Sequence, residues 1–295
     1  TTRLNNNQPA NTIVNSGDGY LQFGIKAATT TPAESRKYAM GDYPTGGSFN
    51  NQLNLNTTRQ VTWSFNFRSY KLQANTYGND DNYGGVILSA STAVLDEASS
   101  ANGYALIVKR STINVAMNGL FLVKFTNGLL AGSSIVTLAQ SAPFIGVGTL
   151  AAPVAATATV PNNISVKAVY SAPTNTWQIS YREDAGNVLA FVDPTTTTGS
   201  WINLASVSND TYTQTANPYF GFIGNGSASG SQFKVAVDNF KASLVTPTTV
   251  PNVATAFAAA QTATPSSSID LSWAAASGIE AGSGYVVVRG TDVPV

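Results

Sequence analysis

A regular alternation of apolar and polar residues constrains this chain more than any other feature. In residues 60–70, QVTWSFNFRSY, the side chains of Val61, Trp63, Phe65 and Phe67 alternate with polar ones. Successive side chains of a β-strand point to opposite faces, so the pattern predicts a strand with one buried face. Similar alternation recurs in six later segments: GYALIVKR, LFLVKF, NISVKAVY, TWQISYRE, PYFGFIG and QFKVAVDNFKASL.

The way these segments follow one another indicates the fold class. Clusters of Gly, Asn, Pro and Ser separate them, and no long helical stretch lies between them. Consecutive strands without crossover helices predict an all-β fold, an antiparallel jelly-roll β-sandwich rather than a series of βαβ units. Only residues 31–40, TPAESRKYAM, could form a turn or two of helix, with Thr31 as the cap and Pro32 at the first position.

A stretch rich in Thr and Pro, VTPTTVP at residues 245–251, divides the chain. Proline lacks a backbone N–H and holds its φ angle near about −65°, so such a stretch forms a stiff extended linker. The sequence therefore predicts a sandwich domain at residues 1–246, a linker at 247–251 and a smaller unit at 252–295. With roughly 45 residues, the second unit is too small for an ordinary sandwich core.

The composition excludes several functional classes. Charged residues make up 10% of the chain, against roughly 25% in ordinary soluble domains, and positive and negative charges cancel. We therefore expect no nucleic-acid partner, and no apolar run is long enough to insert into a membrane. The absence of His and Cys removes the catalytic imidazole, the thiolate nucleophile and every Cys/His zinc site. Thr, Ser, Asn and Gly replace Lys and Glu on the surface, which suits a secreted or cell-surface protein.

The densest group of carboxylates lies in the loop TYGNDDNYGG at residues 76–85. Calcium takes about six to eight oxygen ligands, and side chains of Asp and Asn can supply several of them. The same residue types also favour tight turns, because they tolerate positive φ and bond to their own backbone. The loop is therefore a turn, a calcium site or a contact for a glycan. The candidate ligands are Asp80, Asp81 and Asn82 for calcium, and Tyr77 and Tyr83 for a glycan.

Residues 1–246 resemble the concanavalin A-like, or laminin-G-like, β-sandwich of secreted Bacteroidota proteins. GDGYLQFGI matches an early strand of that family, and VTWSFNFRSY matches a long central strand. NNISVKAVYSAPTNTWQISYRED is similar to a hairpin of the family that returns through a Trp, and FKVAVDNFKASL to its closing strand. The resemblance implies an extracellular module whose rim loops are the usual place for ligands.

Residues 252–295 resemble the first half of a fibronectin type III domain, an Ig-like fold. IDLSW is similar to the second strand of that family, with Trp273 as its core Trp, and SGYVVVRG to the third strand. In Bacteroidota, such modules often precede a C-terminal sorting domain that the type IX secretion system reads. The resemblance implies a truncated or processed part of a longer surface protein.

The resemblance adds a second calcium candidate, Asp238. In related glucanases, an Asp on the closing strand helps to hold a structural calcium ion. The alternation of Phe233, Val235 and Val237 predicts that Asp238 lies on the opposite face of this strand. A local cap, or an ion pair with a nearby lysine, explains the residue equally well. Calcium bound at either candidate site would be structural.

Sandwiches of this family bind sugars through exposed aromatic rings that stack on pyranose faces, together with amide and Arg side chains that contact hydroxyls. Asn66, Arg68 and Tyr70 share the polar face of the central strand. Trp201 follows a Gly-Ser turn outside any alternation, so we expect its ring to be exposed. The other tryptophans are expected in apolar cores: Trp63, Trp177 and Trp273.

A catalytic role is not expected. Laminarinase-type glucanases share the sandwich and carry Glu-x-Asp-x-(x)-Glu on one strand, which places paired carboxylates on one face. The adjacent acids Glu183 and Asp184 cannot do so, because neighbours in a strand point to opposite faces, and the same holds for Asp96 and Glu97.

The sequence thus predicts a non-catalytic extracellular binding or adhesion module that recognises a glycan or matrix polymer. One alternative is a structural part of a large surface assembly, exported by type IX secretion and partnered by secretion or surface-assembly proteins. A glycan-active hydrolase is a third reading.

Overall fold

The structure, a computed structural model, divides the chain into two compact units, Thr1–Thr246 and Pro247–Val295. The residues that it describes are 3–4, 12–15, 20–26, 36–44, 49–71, 83–95, 100–109, 119–129, 135–142, 148–149, 152–153, 162–184, 193–195, 200–225, 232–246, 255–261 and 269–274. Within these ranges, no helix has the length and apolarity that crossing a membrane requires.

Nineteen strands and two short 3₁₀ turns, at Leu53–Leu55 and Ala172–Thr174, make up the described secondary structure. The strands are β1 (Arg3–Leu4), β2 (Thr12–Asn15), β3 (Tyr20–Lys26), β4 (Arg36–Asp42), β5 (Gln60–Lys71), β6 (Tyr83–Ala90), β7 (Gly103–Lys109), β8 (Gly119–Phe125), β9 (Ile135–Gln140), β10 (Gly148–Thr149), β11 (Ala152–Pro153), β12 (Asn162–Ser171), β13 (Thr176–Glu183), β14 (Ile202–Asn203), β15 (Val207–Ser208), β16 (Tyr219–Asn225), β17 (Gln232–Val245), β18 (Thr255–Gln261) and β19 (Ile269–Ala274).

The first unit is built on two antiparallel sheets. The seven-stranded sheet has the order β1-β4-β16-β6-β7-β8-β9. The eight-stranded sheet has the order β14-β13-β12-β5-β17-β3-β2, and β15 also pairs with β13. The chain crosses between the two sheets repeatedly, as it does in a jelly roll. The predicted all-β antiparallel sandwich is confirmed.

The main core lies between the two sheets. Trp63, Phe65 and Phe67, which alternate along β5, are almost completely buried in it. The ring of Trp177 stacks on that of Trp63 with 5.7 Å between centroids, and Tyr104 of the opposite sheet approaches Trp177 to 4.6 Å. Burial of each large apolar side chain contributes about 1.5–3 kcal/mol. The predicted core positions of Trp63 and Trp177 are confirmed.

The seven-stranded sheet is apolar on both of its faces. Leu106 and Val108 of β7 face the main core, whereas Ala105 and Ile107 belong to a second apolar cluster, on the outer face of this sheet. A strand that is buried on both faces reads as a continuous apolar run rather than as an alternation. Residues 105–108, ALIV, form such an uninterrupted run, so the alternation predicted for GYALIVKR is wrong there.

The helical prediction for residues 31–40 is wrong from Arg36 onward, because Arg36 begins strand β4. Ala39 of this strand packs in the main core, while Tyr38 and Met40 pack in the second apolar cluster. Because side chains alternate along a strand, an extended backbone lets this segment contribute to the main core on one face and to the second apolar cluster on the other. Tertiary packing of this kind overrides a weak local helix propensity.

In the second unit, the described residues form two antiparallel strands, β18 and β19. Trp273 lies on β19, in the motif that carries the fibronectin type III resemblance. That resemblance and the role of residues 247–251 as a linker stay predictions.

Candidate binding face on the eight-stranded sheet

Three adjacent strands of the eight-stranded sheet carry polar side chains on the face opposite the main core. Asn66 of β5 lies directly across from Ser165 of β12, and Ser165 lies across from Arg182 of β13. In the same way, Arg68 of β5 lies across from Asn163 of β12. Cross-strand neighbours on one face are close enough for their side chains to interact. We call this surface the polar face.

The Ser165 hydroxyl connects the three strands through hydrogen bonds. Asn66 Nδ2 donates to Ser165 Oγ at 3.0 Å, and Arg182 Nη2 donates to the same oxygen at 2.9 Å. Ser165 Oγ in turn donates to Asp184 Oδ2 at 2.7 Å, and Arg182 Nε donates to Asp184 Oδ1 at 2.7 Å. Asn66 and Ser165 are completely buried, so these bonds satisfy groups that water cannot reach.

Arg68 is also held within the protein. Its Nε donates to Asn163 Oδ1 at 2.7 Å, and only 6% of the residue is exposed. The backbone carbonyl of Asn163 accepts a hydrogen bond from the Asp184 amide at 2.9 Å. Asn66 and Arg68 thus share one face, as the alternation predicts, but they lie in its buried layer. Their contact with a ligand stays a prediction.

Asp238 lies at an irregularity of strand β17, where the pairing register shifts between Asp238 and Lys241. Asn239 adopts a left-handed conformation there, with φ of 52°. Its backbone amide donates to Asp238 Oδ1 at 2.7 Å, and its Nδ2 donates to Asn66 Oδ1 at 2.6 Å. The Asp238 carboxylate therefore caps the bulge, which is the local role that the sequence left open.

The described surroundings of Asp238 do not fit a calcium ion. Its close polar neighbour, Asn239, presents donors of hydrogen bonds, and Asn66 Oδ1 is already an acceptor. Calcium needs several oxygen atoms directed at one point. Nowhere in the described ranges do three or more acidic side chains gather in an arrangement that could hold a metal. The calcium prediction for Asp80, Asp81 and Asn82 falls on residues outside the described ranges.

Trp201 covers one corner of the polar face. Lys167 Nζ lies 4.1 Å from the centroid of its ring, and Arg182 Cζ lies 5.2 Å from it. Both cations project from neighbouring strands on the same side of the sheet, so the indole lies against that side. Trp201 is partly exposed, whereas the sequence predicted an exposed ring. Cation–π contacts of this kind contribute about 0.5–2 kcal/mol and fix the orientation of the ring.

The electrostatics of this corner are positive. Burial lowers the pKa of the Lys167 ammonium below its ordinary value, and the nearby charge of Arg182 lowers it further. The Asp184 carboxylate forms an ion pair with Arg182, and both side chains are largely shielded from solvent. Lys167 forms no ion pair with a carboxylate of the described residues.

The remaining predicted ligand residues are Tyr83, Tyr70 and Tyr77. Tyr83 is 3% exposed in the second apolar cluster of the other sheet, and its hydroxyl donates to the Leu129 carbonyl. Its ring is therefore buried in this cluster, and its contact with a glycan stays a prediction. Tyr70 lies on β5 and pairs through its backbone with Lys234 of β17. Tyr77 lies outside the described residues.

Sequence reasoning missed most of the residues that β12 and β13 contribute to the polar face. A signal was present, because both halves of the NISVKAVY–TWQISYRED hairpin alternate, and their polar positions must share one face. The strand pairing that brings this hairpin beside β5 was not visible in the sequence. The missed residues are Asn163, Ser165, Lys167 and Asp184.

No protein-family model matches the chain, and no curated protein matches it. Among solved structures, the chain is similar to the winged bean acidic lectin complexed with methyl-α-D-galactose, at 10% identity and a TM-score of 0.45, over 82% of this chain and 92% of that one. It is also similar to lectin I of Ulex europaeus in complex with the methyl glycoside of α-L-fucose, at 13% identity and a TM-score of 0.42, over 80% of this chain and 90% of that one. Peanut lectin with a bound nonapeptide is similar at 12% identity and a TM-score of 0.39, over 84% of this chain and 99% of that one.

Proposed function

We propose that the first unit is a non-catalytic carbohydrate-binding module and that the polar face beside Trp201 is its binding site. The observation that carries this proposal is the partly exposed indole held over Lys167 and Arg182, at the margin of a hydrogen-bonded network. An aromatic ring offers a flat apolar surface to the C–H face of a pyranose, while the neighbouring ammonium of Lys167 and guanidinium of Arg182 pair with its hydroxyls.

The rigidity of the polar face supports this role. Most of its side chains stand on strands, and Ser165, Arg182 and Asp184, the residue after β13, hold one another through hydrogen bonds of 2.7–2.9 Å. A site whose groups are fixed before the ligand arrives loses less conformational entropy on binding.

The arrangement of Asp184 supports a non-catalytic reading. Its two carboxylate oxygens accept hydrogen bonds, one from Arg182 and one from Ser165. Retaining and inverting glycosidases need two carboxyl groups that flank one glycosidic bond. Asp184 instead positions Arg182 and Ser165.

The module belongs, in our proposal, to a secreted or cell-surface protein that binds a glycan or matrix polymer. The low content of charged residues and the resemblance to secreted Bacteroidota sandwiches support this location. The same resemblance carries the proposed link to type IX secretion and the fibronectin type III-like assignment of the second unit.

A glycan array with the full chain tests the proposal, followed by calorimetric titration of the saccharide that binds. Replacing Trp201 by Ala removes the stacking surface and should weaken binding about 5- to 150-fold, which corresponds to roughly 1–3 kcal/mol. Replacing the exposed neighbour Ile202 by Ala is the matched control and should leave affinity unchanged. An array on which no saccharide binds the parent chain would contradict the proposal and favour a structural role in a surface assembly.

A further inference from the structure

The polar face carries more positive than negative charge. Arg68, Lys167 and Arg182 stand on three adjacent strands, although only 10% of the whole chain is charged. The described acids at this face are Asp184, which is paired with Arg182, Asp238, which caps the bulge of β17, and Asp193, which accepts hydrogen bonds from Thr195 and lies near Lys241 of β17. All three carboxylates are engaged within the protein, and none forms an ion pair with Lys167.

Lys167 is therefore a cation without a carboxylate partner in the described part of the chain, and it lies beside a second cation. Partial burial and a like-charged neighbour both disfavour the charged form of a lysine, as the lowered pKa of Lys167 reflects. An anion that bound beside Trp201 would reverse both effects, because it would neutralise Lys167 and accept hydrogen bonds from it.

The ring of Trp201 alone is a weaker partner for Lys167 than an anion would be. A ring face attracts a cation by about 0.5–2 kcal/mol, whereas a carboxylate or sulfate adds a full opposite charge and several acceptor oxygens. The guanidinium of Arg182, 5.2 Å from the centroid of the same ring, adds to the positive potential at this corner while its Nε and Nη2 donate to Asp184 and Ser165.

We propose that the saccharide bound at this face is acidic, with a carboxylate or sulfate group paired to Lys167, beside Arg182, at the margin of Trp201. This inference rests on the proposed function and specifies its ligand class. The pyranose ring packs on the exposed side of the indole, and the acid group reaches past the edge of the ring to the ammonium beneath it.

Two pairs of polysaccharides test the inference with the full chain. Polygalacturonate and its methyl-esterified form share one sugar and differ in the free carboxylate, while dextran sulfate and dextran differ in the sulfate. We expect at least about tenfold tighter binding to one acidic polymer than to its neutral counterpart, and a loss of that preference at high salt. The pair that shows the preference identifies the acid group as a carboxylate or a sulfate.

Variants of Lys167 assign the effect to this site. Lys167→Met keeps the aliphatic stem beside the indole and removes the charge, so it should abolish the preference for the acidic polymer. Lys167→Arg should retain the preference. Lys124→Met is the matched control, since Lys124 stands on the other sheet with its Nζ donating to Thr211 Oγ1 at 3.1 Å.

The outcomes separate this inference from the proposed function. Equal or tighter binding of the neutral polymers would overturn the inference that the ligand is acidic. The proposed function as a carbohydrate-binding module would still stand. An acidic preference that persists in Lys167→Met, with melting temperature equal to that of the parent, would also overturn it. If neither the four polymers nor the glycan array give binding, the proposed function falls together with the inference.

Discussion

At the scale of single residues, the hydroxyl of Tyr43 joins the two sheets inside the main core. Trp63 Nε1 of the eight-stranded sheet donates to it at 2.6 Å, and it donates to the Leu88 carbonyl of the seven-stranded sheet. Tyr43 is 4% exposed, so each of these groups depends on the others for its hydrogen bond. The sequence identifies Tyr43 only as one of 12 tyrosines.

Replacing Tyr43 by Phe should lower the free energy of unfolding by about 1–3 kcal/mol, because the buried Trp63 indole N–H and the Leu88 carbonyl lose their partner. Urea denaturation followed by tryptophan fluorescence measures the change. Tyr219→Phe is the control, since Tyr219 is only partly buried and its hydroxyl has no hydrogen-bond partner among the described residues. Equal stability of Tyr43→Phe and the parent would show that the two hydrogen bonds of the Tyr43 hydroxyl do not stabilise the fold.

The same tyrosine makes stability depend on alkaline pH. Burial raises the pKa of Tyr43 well above its ordinary value, against the smaller opposing effect of the hydrogen bond from Trp63. The folded protein therefore keeps a proton that the unfolded chain releases above about pH 10. The contribution of Tyr43 to the free energy of unfolding is fully present below that pH and decreases above it. Tyr43→Phe should show a shallower fall than the parent between pH 9 and about pH 11.

At the scale of elements, the pairing of β6 with β7 depends on close backbone approach. The register of this pair shifts between Ile87 and Ser89, and Gly103 of β7 lies beside the shift. A Cβ atom at Gly103 would lie 1.9 Å from the Ser89 carbonyl oxygen, which is a backbone atom and cannot turn away. Glycine is needed here for space rather than for an unusual φ.

We expect Gly103→Ala to destabilise the first unit by about 1–3 kcal/mol or more, since the two strands must separate to admit the methyl group. Gly41→Ala on β4 is the matched control. Its Cβ would meet the tip of the Phe220 ring at 2.8 Å, and a partly exposed side chain can shift. Chemical denaturation compares the two variants, and a loss that is no larger for Gly103→Ala than for Gly41→Ala would contradict the expectation.

At the scale of the whole molecule, the first unit is a sandwich with unequal outer faces. The outer face of the seven-stranded sheet carries the second apolar cluster, whereas that of the eight-stranded sheet carries a buried polar network. The ligand proposal and the calcium question therefore concern different places: the polar face for the ligand, and the loop that precedes β6 for calcium.

In the sequence-based prediction, calcium stabilises the first unit through the loop that contains Asp80 and Asp81 or through Asp238. We expect a chelator to lower the melting temperature of the parent chain, because an ion that binds the folded state adds to its stability. The double variant Asp80→Asn/Asp81→Asn should lose this response, and Asp238→Asn should keep it, since Asp238 caps the β17 bulge. Identical melting curves of the parent with excess calcium and with chelator would remove the loop as a calcium site.

Much of the fold was predictable because strand alternation is a local property. The pattern of β5 alone predicts that Trp63, Phe65 and Phe67 point into a core, and that Asn66 and Arg68 point away from it. The segment at β4 was not predictable in this way, because its strand conformation depends on two apolar layers that distant parts of the chain supply. The polar face was predicted in part, through Asn66, Arg68 and Trp201.

The sequence by itself determined the all-β class and the division of each strand into an inward and an outward side, because successive side chains of a strand always alternate. Only the tertiary structure decided what lies beside each outward residue. Asn66 meets Ser165 across 99 residues of chain, and no local pattern encodes that distance. The long-range pairing of β5, β12 and β13 buries Asn66 and Ser165 in one network and places Lys167 and Arg182 beneath Trp201. A candidate binding face thus arises where the alternation alone predicts a solvated surface.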